Sequence, residues 1–391
     1  MLGHVLAAVQ AAGAGRIAVV AEPGRDDVAA EIAREAPGAQ VFPQAERLGT
    51  AHAVLAAGAV LDAPDDDVVI AFGDTPLISG ETILRLRAPL AEGASVAILA
   101  FESPNPTGYG RVLTEGNRVL AIREEKDASP TERAVTLCNA GLMALSGRHA
   151  LALLTRIGND NAAGEYYLPD AVALAVAEGL AVTVVPVDEA EAQGVNDRVQ
   201  LAVAEAAIQV RLRRSAMLGG ATLVAPETVF LSHDTILGRD VVVEPHVVFG
   251  PGVRVGDGCT VRAFAHLNDT VLEASVRMGP GAKAAHLTYL GDAEIGAKAN
   301  IGAGTITCNY DGVLKHRTTI GAGAFIGSNA ALVAPVTIGE GAYVASGSVI
   351  TDTVPDGAMA IARGRQAVKP GWAAAKRAAL LAEKGRRSKG S

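Results

Sequence analysis

Apolar positions along the chain follow two different rules. Up to about residue 200, short apolar runs alternate with stretches of helical spacing. The runs include Arg16-IAVVAE, Val68-VIAFGD, Ser95-VAILAF and Ala181-VTVVPVD, and the helical stretches include Asp26 to Glu35 and Asp170 to Glu178. Strands alternating with helices at this spacing predict βαβ units and a mostly parallel sheet, hence an α/β unit of Rossmann-like type. Residues 195–217 read as one continuous helix, a stiff connector. From about residue 218 the period becomes six. Leu237, Val243, Phe249, Val255, Val261 and Leu267 form one run, and Ile320, Ile326, Leu332, Ile338, Val344 and Ile350 another. Between them lie Leu272, Met278, Ala284, Leu290, Ile295 and Ile301, with two five-residue slips. A strict six-residue period with an aliphatic at its first position predicts a parallel β-helix, each aliphatic pointing into a prism-shaped core. Gly302-AGT and Gly321-AGAF look like dinucleotide loops, but they sit inside the repeat with no strand-to-helix transition, which excludes that reading.

Composition refines this picture. Aromatics make up 4% of the 391 residues while glycines number 44, as suits many short, tightly wound strands. The net charge of −8 argues against nucleic acid as the main partner. Three cysteines without a CxxC pair fit a reducing compartment, and no apolar run is long enough for a membrane span, so a cytoplasmic location is expected. The tail from Lys369 to Ser391 is basic, opening on a short helical pattern. The expected organisation is an α/β domain over 1–194, a helical linker over 195–217, a hexapeptide domain over 218–368 and the tail over 369–391.

Several motifs are long and specific. Ala285-HLTYLGDAEIGAKANIGAGTITCNYDG, Leu48-GTAHA, Phe72-GDTPLIS, Pro106-TGYGRV, Cys138-NAGLM, Gly164-EYYLPD and Gly194-VNDR closely resemble, in collinear order, the bifunctional N-acetylglucosamine-1-phosphate uridylyltransferase/glucosamine-1-phosphate N-acetyltransferase family. The resemblance implies a nucleotidylyltransferase domain followed by a left-handed β-helix, and two reactions. Acetyl-CoA acetylates glucosamine 1-phosphate at the β-helix; the N-acetylated product then attacks the α-phosphate of UTP at the α/β domain, releasing pyrophosphate and forming UDP-N-acetylglucosamine. It also implies a homotrimer that uses Mg2+.

Uridylyl transfer needs charge neutralisation more than covalent help. Asp74 ends an apolar strand, at the sheet edge where α/β ligands bind. With Asn196 it matches the family's metal ligands, a carboxylate and an amide that suit Mg2+ when phosphates fill the remaining positions. Gln44, Gly49 and Thr50 match the uracil segment, flanked in the nucleotide site by Phe72 and Gly73. Gly110, Glu124 and Asn139 match the sugar-binding positions. Taken alone, Asp74 and Thr50 also read as helix caps, and Glu124 and Asn139 as surface polar residues.

Acetyl transfer needs an amine stripped of its extra proton, which a histidine can accept. His286 matches the family's catalytic base. Tyr289 and Asn300 match positions around the sugar phosphate. Ala303, Asn309, Tyr310, Lys315, Ser328, Ser346 and Arg363 match the acetyl-CoA side of the site, Asn309 being placed to hold or polarise the reacting carbonyl and Lys315 and Arg363 to meet phosphates. Outside the motif, Ser328 and Ser346 read as corner residues of a coil.

Two departures from the family pattern stand out. Its first strand and the Gly-rich loop with an Arg and a Lys have no counterpart after Met1, so a start upstream of Met1 is expected; without that strand the sheet carries an unfilled slot. Lys126 and Arg111 remain as basic groups near the nucleotide site. Secondly, Met278-GPGAKAAHLTYLGD jumps over roughly thirty family residues, about five rungs, which carry the Arg and Lys that grip the sugar phosphate. The rival reading is a trimeric scaffold descended from the enzyme, without activity or with part of it.

Overall fold

The computed structural model describes residues 1–366 and 368–378 of the 391. They form two compact units divided after Ile208, inside a helix that runs from Arg198 to Leu218. Residues 372–378 of the basic tail are helical; the rest of that expected element lies outside the described residues.

The first unit contains eight strands: β1 (Ala18–Ala21), β2 (Gln40–Pro43), β3 (Asp67–Ile70), β4 (Val96–Glu102), β5 (Arg111–Glu115), β6 (Arg118–Arg123), β7 (Leu137–Ser146) and β8 (Val182–Pro186). The main sheet runs β6-β5-β7-β4-β8, with β3 on β7. It is mixed, which corrects the expected mostly parallel sheet. β4 and β8 are parallel, whereas β7 lies antiparallel to β3, β4 and β5. The β5–β6 hairpin reverses the chain, and β7 then enters between β5 and β4 in the direction of β6. β4 is buried from Val96 to Phe101 and forms the spine of the unit. On one face the helix Gly80–Ala91, capped by the Ser79 hydroxyl accepting from the Thr82 N–H, brings Ile83, Leu86 and Leu90 onto Leu99 and Leu142. Leu153, Leu154, Leu168 and Val172 cover the other. Burying each such side chain stabilises the fold by about 1.5–3 kcal/mol.

β1 and β2 pair in parallel with each other and with nothing else among the described residues. β3 pairs only with β7, so β1 and β3 each keep one open edge. Arg16, just before β1, reaches Asp66, just before β3, through a 2.5 Å ion pair. That exposed side-chain bridge adds little stability, about 0–1 kcal/mol.

The second unit is a parallel β-helix. Seventeen of the eighteen aliphatics that mark the six-residue period are buried, and Leu237, in the first coil, is partly buried against the same core. Three register ladders define its faces. One runs outward through Thr222, Val242, Thr260, Arg277, Glu294, Thr319 and Thr337, polar apart from Val242. The second runs through Ile236, Arg254, Val271, Tyr289, Ile306, Ala331 and Val349, largely aliphatic. The third ends in Phe325, Tyr343 and Met359, the first two with rings stacked at 4.8 Å.

The ladders also explain the slips. Thr260 pairs with Arg277 and Arg277 with Glu294, two coils one residue shorter than the step from Val242 to Thr260. In these short coils the strands His266–Leu272 and Lys283–Leu290 run around the prism edge without a break, with a bulge between Asn268 and Thr270. The stack stays closed through these short coils.

Candidate functional site

In the first unit the expected nucleotide and sugar residues form three local groups, after β2, after β3, and around the starts of β5 and β7. Gly49 precedes the helix Thr50–Ala56 with φ 115, a conformation that favours glycine, and an added Cβ would meet the Tyr166 backbone at 2.6 Å. The Gln44 amide donates to the Gly49 carbonyl (3.4 Å) and lies 3.1 Å from the His52 ring nitrogen. The Thr50 hydroxyl accepts from the Leu168 N–H at 2.9 Å, tying GTAHA to EYYLPD. Thr50 is therefore the first helical residue and Gly49 the cap, which corrects the cap reading of Thr50.

After β3, the Phe72 ring lies against Gly141 in β7, and Gly73 and Asp74 are exposed. The Val195 N–H donates to the Asp74 carbonyl at 2.9 Å, which seats Asn196 beside Asp74 although 122 residues separate them in sequence. The two supply one carboxylate and one amide oxygen, a donor set that fits a hard divalent cation whose other ligands are phosphates and water.

The Asn139 N–H donates to the Gly110 carbonyl at 2.8 Å, and Gly110 borders the Glu124 carboxylate. Burial pushes the Glu124 carboxyl above its ordinary value, with Asp170 and Asp127 adding to the effect and Arg111 opposing it. Motif reading missed Asp127 and Asp170 as neighbours of Glu124. Arg111 is 1% exposed and bonded to Glu125 at 2.6 Å, with further bonds to the Tyr109 and Arg133 carbonyls. It holds the sheet together and is not available to a triphosphate; Lys126 is exposed.

In the second unit one edge of the prism, between the aliphatic and aromatic faces, collects five expected residues. The Gly304 N–H donates to the His286 carbonyl at 2.8 Å, Asn329 to Ala303 at 2.7 Å and Gly347 to Ser328 at 2.8 Å. The Arg363 guanidinium donates to the Ser346 carbonyl at 2.9 Å. His286, Ala303, Ser328, Ser346 and Arg363 thus descend one edge, a coil apart. The serines are corner residues, and their side chains face outward.

His286 and Leu287 both have φ 60, a left-handed conformation that costs L residues about 1–2 kcal/mol each. Leu287 is held there by its N–H donating to Asp269 at 3.2 Å. This kink sets both side chains on the outside of the edge, Leu287 at 76% exposure.

Tyr289 and Lys315 meet on the adjoining aliphatic face, both bound to the Glu273 carboxylate, with Lys315 at 3.0 Å. Burial and that bond push the Tyr289 hydroxyl up to about 12. Asn309 is 5% exposed and its amide donates to Asp292 at 2.7 Å, so one donor expected to face a carbonyl is already used. The Tyr310 hydroxyl donates to the Gly312 carbonyl at 2.6 Å in an exposed loop. Asn300 stands apart, on the third face between Lys283 and Phe325. Asp292 was legible inside HLTYLGD. Glu273 was not, because its register depends on the short coils.

Comparison with known proteins separates the units along the same line. The MobA-like NTP transferase domain matches residues 1–137, and bacterial transferase hexapeptide repeats match 234–269 and 317–352, the two regular runs of the β-helix. The bifunctional protein GlmU of Xanthobacter autotrophicus is 59% identical over 414 residues, covering 98% of this chain and 92% of that protein. The chain belongs to the GlmU family. GlmU of Azorhizobium caulinodans is 60% identical over 97% of this chain and 91% of its own length, and that of Bradyrhizobium sp. ORS 278 is 52% identical over 97% and 92%. The first alignment is longer than this chain, so that GlmU carries residues which this one lacks within the matched stretch. The β-helix is the left-handed hexapeptide type.

Proposed function

We propose that this GlmU-family chain makes UDP-N-acetylglucosamine in two steps on two units. At the β-helix, His286 takes a proton from the amine of glucosamine 1-phosphate as that nitrogen attacks the thioester carbonyl of acetyl-CoA, and the thiolate of coenzyme A leaves. Ala303, Ser328, Ser346 and Arg363 give acetyl-CoA a straight edge to lie along, with Arg363 at its phosphate end. Tyr289 and Asn300 are read as meeting the acceptor, and Asn309, Tyr310 and Lys315 as belonging with the acetyl-CoA residues, where Lys315, beside Tyr289 at Glu273, offers its charge to a phosphate. At the α/β unit, Gln44, Gly49 and Thr50 meet uracil beside Phe72 and Gly73; Gly110, Glu124 and Asn139 meet the sugar. Asp74 and Asn196 would hold Mg2+, which neutralises charge on the transferring phosphates. The observation that carries this reading is the line of His286, Ala303, Ser328, Ser346 and Arg363 down one edge of the β-helix, in a chain 50–60% identical to GlmU proteins.

The domains are read as 1–194 and 218–368, joined by the helix between them. The aliphatic ladder leaves Ile236 48%, Ile306 45% and Val349 51% exposed, and Leu287 projects from its border. These surfaces support a homotrimer formed through the β-helix. No helix among the described residues is long and apolar enough to cross a membrane, and the reading places the enzyme in the cytoplasm. Mass spectrometry after incubation with glucosamine 1-phosphate, acetyl-CoA, UTP and Mg2+ tests the function. UDP-N-acetylglucosamine is expected, and absence of both it and the acetylated sugar phosphate favours the scaffold reading.

A further inference from the structure

We propose that Glu273 is a built-in competitor for the acceptor's phosphate: its carboxylate occupies the anion position between Tyr289 and Lys315. The inference rests on the acetyl-transfer reading above and deepens it by assigning a specificity determinant. Three observations carry it. First, the Glu273 carboxylate binds Lys315 Nζ at 3.0 Å and lies close enough to the Tyr289 hydroxyl to raise it. Lys315 and Tyr289 both carry donors suited to a phosphate oxygen. Second, the backbone that carries the Glu273 side chain is fixed. The Glu273 N–H donates to the Leu290 carbonyl at 2.9 Å, and the Cys259 thiol donates to the Glu273 carbonyl at 2.9 Å. Third, the charge balance is unfavourable to an anion. Lys315 faces two carboxylates, Glu273 and Asp292, and the neighbouring Arg317 is paired with Glu294 at 2.7 Å.

The pair lies at the rim, with the Lys315 side chain 59% exposed and that of Glu273 35% exposed, so an incoming ligand can reach and open it. The hydrogen bonds of Tyr289 and Lys315 hold the Glu273 carboxyl below the usual carboxylate range, so it remains charged at neutral pH. A phosphate arriving here must part Lys315 from Glu273 and then sit beside a second anion. The site therefore discounts the phosphate of its acceptor, and removing the charge of Glu273 restores the preference.

The test is calorimetric titration of the full chain with inorganic phosphate, comparing the unchanged protein, Glu273→Gln and the double variant Glu273→Gln/Lys315→Ala. Glu273→Gln is expected to bind phosphate about tenfold more tightly, the scale of one close like-charge contact near a surface, and the double variant to lose that gain. Equal affinity in the first two, or a gain that survives without Lys315, overturns the proposal. In the acetylation assay, Glu273→Gln is expected to lower KM for glucosamine 1-phosphate and leave KM for glucosamine unchanged. Equal shifts for both acceptors count against it. If neither chain acetylates anything, the functional reading fails, while the phosphate titration still decides the role of Glu273.

Discussion

The two units differ in how they bear an interrupted pattern. The β-helix passes the irregular stretch around Met278 with its three ladders intact, because each coil touches only the coils before and after it. The α/β unit divides its strands into a pair and a larger sheet, leaving open edges on β1 and β3. A repeat can close up by shortening a corner, whereas a sheet has no equivalent adjustment: each strand needs partners at a fixed spacing of about 4.8 Å.

This contrast should be measurable by hydrogen exchange. Amides of β1 and β2 are expected to exchange at least about 10³-fold faster than those of β4 and β7, since a two-stranded sheet is marginal alone. Equal protection would break the comparison.

The tight stacking that lets the β-helix close also makes it intolerant of volume. An added Cβ on Gly327 would lie 2.4 Å from the Ser346 backbone nitrogen. Gly327→Ala should cost about 1–3 kcal/mol or more, seen as a lower midpoint in chemical denaturation. The same change at Gly108, whose Cβ would meet nothing within 4 Å, should cost less, about 1–2 kcal/mol from its φ of 89 alone. A reversed order would show that coil packing is looser than the ladders imply.

The smallest effect is expected in the exposed loop after Asn309. Asp311 accepts from the Val313 and Leu314 N–H groups and from His316 at 2.7 Å, which lowers its carboxyl to about 2 from an ordinary 3.8. A depressed carboxylate stabilises the folded loop fully above its unfolded value and loses that contribution as pH falls through its folded value. The loop should hold above about pH 4 and loosen between roughly 4 and 2, followed by the resonances of Val313 and Leu314. Loosening above pH 5 would contradict this.

Much of the β-helix was legible in the sequence because a period of six states both the fold and which side chain points inward. The candidate site segments around Asp74, Asn196 and His286 could be picked out because each keeps the residue order of a family motif. The direction of β7 was not, since an apolar run does not reveal whether a hairpin or a crossover precedes it. The occupation of Arg111 by Glu125 and of Lys315 by Glu273 was also hidden, because ion pairs between residues 14 and 42 apart depend on register.

Each unit is proposed to carry one reaction independently of the other. The most direct test measures both half-reactions in His286→Ala and Asp74→Ala. His286→Ala is expected to lose acetyl transfer by about 10²–10⁴-fold with uridylyl transfer unchanged, and Asp74→Ala to do the converse. Loss of both reactions in either variant, or acetyl transfer undiminished without His286, would contradict the account.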